Sequence, residues 1–185
     1  MAPTRITLPV APLRPDSFAP FGEVIEARDT ARQFAINQGY ATRFHDLARA
    51  DVGDGTVLLN IFRALPRSLP MQLQVMERHP LGSQAFVAMA ELPFLVVVAP
   101  PAPELVLTDI RCFRAEAGQG VNYAKGVWHH PLIAIGRGCD FLVIDRGGAP
   151  GERNLDEVDV LAQNLWISGS NLFGATGAPT RASEY

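Results

Sequence analysis

Short apolar runs recur along the chain between turn-forming residues: Val24-Ile25, Val57 to Phe62, Met71 to Met76, Gln84 to Met89, Phe94 to Ala99, Leu105 to Leu107, Ile110 to Phe113, Leu132 to Ile135 and Phe141 to Ile144. Each has the length of a strand. Glycines and prolines separate them, as at Gly53-Asp54-Gly55, Pro100-Pro101, Gly118-Gln119-Gly120 and Gly136-Arg137-Gly138, which is the rhythm of an antiparallel sandwich or barrel. A parallel α/β architecture would need long helical segments between the runs, and the sequence offers none. Helical signals are confined to the ends. Asp16 is placed to cap a short helix through Phe21, and Leu155 to Leu161, following Asn154 with Asp156 and Glu157 in its first turn, predicts another. The tail 168–185, rich in Ser, Gly, Ala and Pro, is expected to be loose or docked on a neighbour. Residues 1–185 read as a single, mainly β domain.

Alternation within one run bears on chemistry. In Met71-Gln72-Leu73-Gln74-Val75-Met76-Glu77-Arg78-His79 the odd positions begin as apolar and the even ones as polar. Odd positions should therefore face the core. Glu77 and His79 share that parity, so a strand continuing to His79 would aim a carboxylate and an imidazole inward and Arg78 outward. Buried unpaired they would be costly, and so need each other, a wet cavity or a metal. The plain alternative is a solvated turn beginning after Met76.

Composition narrows the class. With 185 residues, 48% hydrophobic and 19% charged, the chain can bury a sizeable core. Its formal net charge of -3 and lack of a basic run argue against nucleic acid or an anionic membrane as partner and favour a small molecule. Cys112 and Cys139 have no metal-finger spacing and are expected to be buried thiols. The start Met-Ala-Pro-Thr-Arg-Ile has no signal-peptide pattern, and the longest apolar stretch, Phe94 to Ala99, cannot span a bilayer. A cytoplasmic location is the expectation.

About forty residues after Glu77 to Gln84 comes Gly120-Val121-Asn122-Tyr123-Ala124-Lys125-Gly126-Val127-Trp128-His129-His130-Pro131, so three of the four histidines lie in two segments. Imidazoles there could move protons or bind a metal. The spacings resemble a degenerate pair of cupin motifs, in which His-x-His with a following Glu, and Pro-x-Gly-x-x-His, supply four metal ligands in a small β-barrel. Here the matching positions read Glu77, His79, Gln84 and His129. That set could hold a divalent ion such as nickel, zinc or manganese through two nitrogens and one or two oxygens, or could serve acid–base chemistry without one. No organic cofactor is suggested.

The strings Arg43-Phe44-His45-Asp46-Leu47, Glu77 to Phe86, Gly120-Val121-Asn122-Tyr123 with Val127 to Leu132, and Asp140 to Gly148 together resemble the ureidoglycolate lyase family, which older naming calls ureidoglycolate hydrolase. The resemblance runs from about Leu13 to Gly148. It implies a cupin-like fold and a cytoplasmic homodimer that splits ureidoglycolate into glyoxylate and urea in allantoin and purine breakdown. Such a carbon–nitrogen lyase of amidine type needs one base, one acid and one cationic anchor. His79 or His129 is the expected base, Tyr123 a proton donor or orienting hydroxyl, and Glu77 an orienting carboxylate or metal ligand. Arg63 and Lys125, with Gln84, are the expected substrate-binding residues, and Arg146 is a third cation. His45 with Asp46, and His130, read as structural. A hydrolase releasing ammonia, or a non-catalytic binding barrel, remains open on local sequence. Exposed strand edges and the apolar Leu161, Leu165, Trp166, Leu172 and Phe173 favour a dimer.

Overall fold

The structure is a computed structural model that describes residues 3–169 and Leu172. Most of the tail expected to be loose, with Phe173, lies outside the described residues. Two sheets pack face to face. One has five strands in the spatial order Gly22–Ile25, Gly120–Tyr123, Gln84–Ala88, Cys139–Gly147 and Thr56–Ala64, all antiparallel neighbours. The other runs Asp156–Asp159, Val75–Arg78, Trp128–His129, Phe94–Ala99, Arg111–Ala115 and Val10–Pro12, with Ile133–Ala134 also paired to Phe94–Ala99. Its last pair is parallel. Ile6–Leu8, Leu165–Ile167 and Met71–Gln72 form a small third sheet, and Gln33–Ile36 with Ala41–Phe44 a separate hairpin. This is the mainly β architecture of packed antiparallel sheets that the apolar runs predict.

Phe94–Ala99 is buried at every position, because it lies between two core layers. Phe94, Val96 and Val98 pack with Phe18, Phe86, Phe113, Val121 and Phe141, while Leu95, Val97 and Ala99 pack with Leu73, Met76, Trp128 and Ile167. Burying both faces of a strand explains its uninterrupted apolar run. Among the described residues no helix is long and apolar enough to cross a membrane.

Three local expectations are corrected. Leu155 to Leu161 is not helical: Asp156–Asp159 is a strand antiparallel to Val75–Arg78, followed by a 3-10 turn over Leu161–Gln163. The reason is tertiary. Arg78 Nε bonds Asp156 Oδ2 at 3.0 Å, and Asn154 accepts the Leu81 N–H on its side chain rather than capping a helix. Leu105 to Leu107 is no strand, since Leu107 opens a 3-10 turn. At the N-terminus the helix is shorter than expected, Pro15–Phe18, with Pro in its first turn.

The run from Met71 is also broken. Met71–Gln72 and Val75–Arg78 belong to different sheets, and the interruption at Leu73-Gln74 shifts the inward parity. Met76 is buried in the core although it is even-numbered.

Candidate functional site

The break in that strand sorts the next four residues. Met76 goes into the core and Arg78 stacks its guanidinium 4.6 Å from the centre of the Trp128 ring, while Glu77 and His79 face the other way and line a cavity of about 950 Å³. The second segment is registered onto the first by backbone pairing. His129 lies opposite Glu77, and the Gly126 N–H donates to the His79 carbonyl at 2.9 Å. Gly126 sits at φ +77°, in the left-handed region that favours glycine at such a turn. Glu77, His79 and His129 thereby offer three ligand atoms within 4.8 Å of one another.

The two imidazoles are oriented alike. His79 Nδ1 lies 2.7 Å from the Asn154 carbonyl and His129 Nδ1 lies 3.1 Å from the Val127 carbonyl. A carbonyl oxygen can only accept, so each Nδ1 carries the proton and each Nε2 is left as a lone pair. Both Nε2 atoms are buried without a hydrogen-bond partner. His129 Nε2 stands 3.3 Å from Glu77 Oε1. Two lone pairs at that distance repel unless a proton or a cation sits between them, so the trio is built to hold positive charge. Two nitrogens and a carboxylate oxygen, each nitrogen oriented by a backbone acceptor on its far side, suit a divalent metal ion.

Electrostatics agree with that reading. Burial pushes the Glu77 carboxyl up, but its closeness to His129, with His79 and His130 beyond, outweighs it and holds it below its ordinary value. Burial, with the nearby Glu77 charge, pushes the Tyr123 phenol up, so it stays protonated. Its ring stacks on His129 at 4.4 Å between centres and 23°.

Gln84 lies on the same cavity wall. Its Oε1 has no partner, and its amide lies close enough to Asp145 to favour that carboxylate. Asp145 also lines the cavity, accepts from Asn60 Nδ2 at 3.2 Å, and is raised by burial against the lowering influence of Gln84, His79 and Asn60.

Of the expected cations only Arg63 lines the cavity. Arg63 is at the rim, its guanidinium bonding both oxygens of Asp140 at 2.8 and 2.9 Å. Lys125 is exposed on the turn before His129 and is not on the wall. Arg146 is buried and bonded to Asp54 and Glu152. His130 is buried, with Nδ1 at 2.7 Å from the Pro131 carbonyl, and Asp46 pairs with Arg49. Sequence reasoning missed Asp145, Asn154 and Arg67, an exposed guanidinium on the cavity lip. Only Asp145 had a readable signal: it continues the inward parity of Phe141 and Val143.

The sequence matches the model of a family described as ureidoglycolate lyase over residues 5–168. A Burkholderia mallei (strain NCTC 10229) protein named ureidoglycolate lyase is 53% identical over 174 residues, covering 93% of this chain and 99% of that one. One of the same name from Burkholderia cepacia is 50% identical over 153 residues, covering 82% and 85%. The solved structure of RmlC from Streptococcus suis overlaps 51% of this chain and 46% of its own, with a TM-score of 0.38 and 8% identity.

Proposed function

Because the chain belongs to the ureidoglycolate lyase family, we propose that it cleaves ureidoglycolate into glyoxylate and urea, as a cytoplasmic homodimer serving allantoin breakdown. The observation that carries the mechanism is the pair of bare Nε2 lone pairs beside Glu77 at one end of the cavity. The substrate bears a hydroxyl, a carboxylate and a urea nitrogen on one carbon. Cleavage removes the hydroxyl proton, turns that C–O bond into the carbonyl of glyoxylate, and releases the nitrogen as it gains a proton. Electrons and protons balance without an oxidant.

His79 lines the cavity with a free Nε2 and a fixed tautomer, which fits it to take the hydroxyl proton and pass it to the departing nitrogen. His129, wedged between the Tyr123 ring and Glu77, presents the second bare Nε2 as an acceptor for the substrate hydroxyl. Gln84 Oε1 is an unused acceptor for a ureido N–H, and Asp145 stands beside the Gln84 amide on the same wall. Arg67 supplies a guanidinium at the lip for the substrate carboxylate. Alternatively those same lone pairs of His79 and His129, with Glu77, would hold a divalent ion such as nickel, zinc or manganese, which would act as a Lewis acid that lowers the hydroxyl pKa in place of the imidazole base.

Support for the dimer comes from the edge strand Thr56–Ala64. Its outward residues Val57, Leu59 and Ile61 are 54%, 70% and 54% exposed, and they adjoin half-buried Leu142 and Ile144 across the register. A long apolar edge of this kind is a liability unless covered. Both cysteines are free and buried, in keeping with a reducing compartment.

The test is a product balance with metal-analysed protein, quantifying glyoxylate, urea and ammonia together. Glyoxylate matched by urea without ammonia is the expected result. Glyoxylate with ammonia would make the protein a hydrolase, and no product would leave a binding barrel.

A further inference from the structure

From Ile25 through Pro70 no residue is buried, although this stretch includes the Gln33–Phe44 hairpin and the whole edge strand Thr56–Ala64. The hairpin is a two-stranded sheet hydrogen-bonded to no other strand among the described residues, and none of its residues belongs to either core cluster. An isolated two-stranded ribbon is marginal in water, so its order calls for a second surface. Register sets Phe34 opposite Arg43 and Ile36 opposite Ala41, which puts these four on one face. Phe34 and Ile36 are 38% and 39% exposed, and Tyr40 at the tip is 91% exposed. Among the described residues Arg43 has no side-chain hydrogen bond or ion pair. The arm therefore offers an apolar face carrying one uncommitted guanidinium.

The cavity offers the complement. Its mouth is ringed by Phe62, Leu65 and Leu155, all partly exposed apolar side chains. Within it stand the carboxyls of Glu77 and Asp145, while its own cations are Arg63, committed to Asp140, and Arg67 at the lip. An anionic substrate entering past two carboxyls meets one free guanidinium. Moreover, Arg43 to Leu47, one of the strings that carries the family resemblance, lines no part of this cavity.

We infer that the arm crosses to a second copy of the chain, lies over the mouth of that copy's cavity beside Thr56–Ala64, and delivers Arg43 to the substrate carboxylate. A second copy is favoured because arm and edge strand sit on the same unburied stretch, so one two-fold axis covers both exposed surfaces twice. The inference rests on the lyase reading of the cavity and adds that each site is completed in trans.

Arg43→Ala and His129→Ala chains carrying different tags are co-expressed and the mixed dimer is isolated by tandem purification. Each variant alone is expected to lose at least about 90% of turnover, and the mixed dimer, with one intact site of two, to recover about half the wild-type rate. A mixed dimer no more active than its parents, or a fully active Arg43→Ala homodimer, overturns the inference. Because wild-type protein without lyase activity would defeat the reading and not the arm, a readout blind to turnover accompanies it. Tyr40→Cys in one chain and Leu65→Cys in the other are expected to form a covalent mixed dimer on mild oxidation. Chains that stay separate overturn the arm's placement whatever the substrate.

Discussion

Replacing Glu77 by Gln keeps the size of the side chain and removes one charge from the centre of the site. Glu77 Oε1 lies 3.3 Å from His129 Nε2, where a unit charge pair is worth about 5 kcal/mol at an effective dielectric of 20. The carboxylate is 19% exposed, and solvent lowers the usable part to roughly 2–3 kcal/mol. At 1.36 kcal/mol per factor of ten, kcat/KM should fall about 30- to 150-fold. Stability should barely move. Once the positive charge that Glu77 helps hold at this point is gone, the Gln amide can donate to the His129 Nε2 lone pair, and a new hydrogen bond in place of the charge pair leaves a net change within about 1 kcal/mol. The assay is steady-state turnover of ureidoglycolate alongside thermal melts of both proteins. A variant within about threefold of the parent in kcat/KM refutes the reasoning. So does a melting loss above about 3 kcal/mol, because the carboxylate would then be holding the fold rather than positive charge at the site.

Metal removal by chelation followed by addition of nickel, zinc or manganese should raise the melting temperature; a hundredfold excess over the dissociation constant corresponds to about 2.7 kcal/mol, or roughly 5–10 °C for a chain of this size. The rise should vanish in His79→Ala and His129→Ala, and an unchanged parent melt would remove the ion from the mechanism. Leu59→Glu, which puts a charge on the most exposed apolar position of the edge strand, should halve the mass measured by sedimentation, and an unaltered dimer would move the interface elsewhere. Arg146 holds the Glu152 and Asp54 carboxyls below their ordinary values, chiefly through its hydrogen bonds to them. Their folded pKa values lie under the unfolded ones, so the stabilisation is present above the ordinary carboxylate range and fades as pH falls through the folded values. Arg146→Gln should accordingly lose less stability on acidification than the parent in urea melts at several pH values, and parallel losses would count against the pairing.

Strand alternation was enough to aim Glu77 and His79 together, because a period of two survives in any half-buried strand. It misjudged Met76, since the Leu73-Gln74 interruption depends on which sheet each half joins, and local sequence carries no record of that choice. Asn154 before Leu155 to Leu161 reads as a helix cap only while its side chain is free. Leu81 takes that oxygen from across the fold, and the segment pairs as a strand. Tyr123 was legible as a member of the site but not as a ring stacked on His129, which depends on two strands meeting. The cationic anchors were least legible: Arg63 and Arg146 resemble substrate-binding residues by type, and each is committed to carboxylates supplied by residues that alternation alone does not bring near.

The orientation of His79 is set from a loop rather than from a strand. Arg146 grips Glu152, and two residues later the Asn154 carbonyl takes the His79 ring proton while its side chain takes the Leu81 N–H. The three residues Glu152 to Asn154 thus form a strut of fixed length between the buried guanidinium of Arg146 and the imidazole. In terms of descent, this loop is free to gain or lose residues over Ala149 to Gly151, which no side-chain bond of that kind ties down. One residue added between Glu152 and Asn154 would have to release either the guanidinium or the histidine.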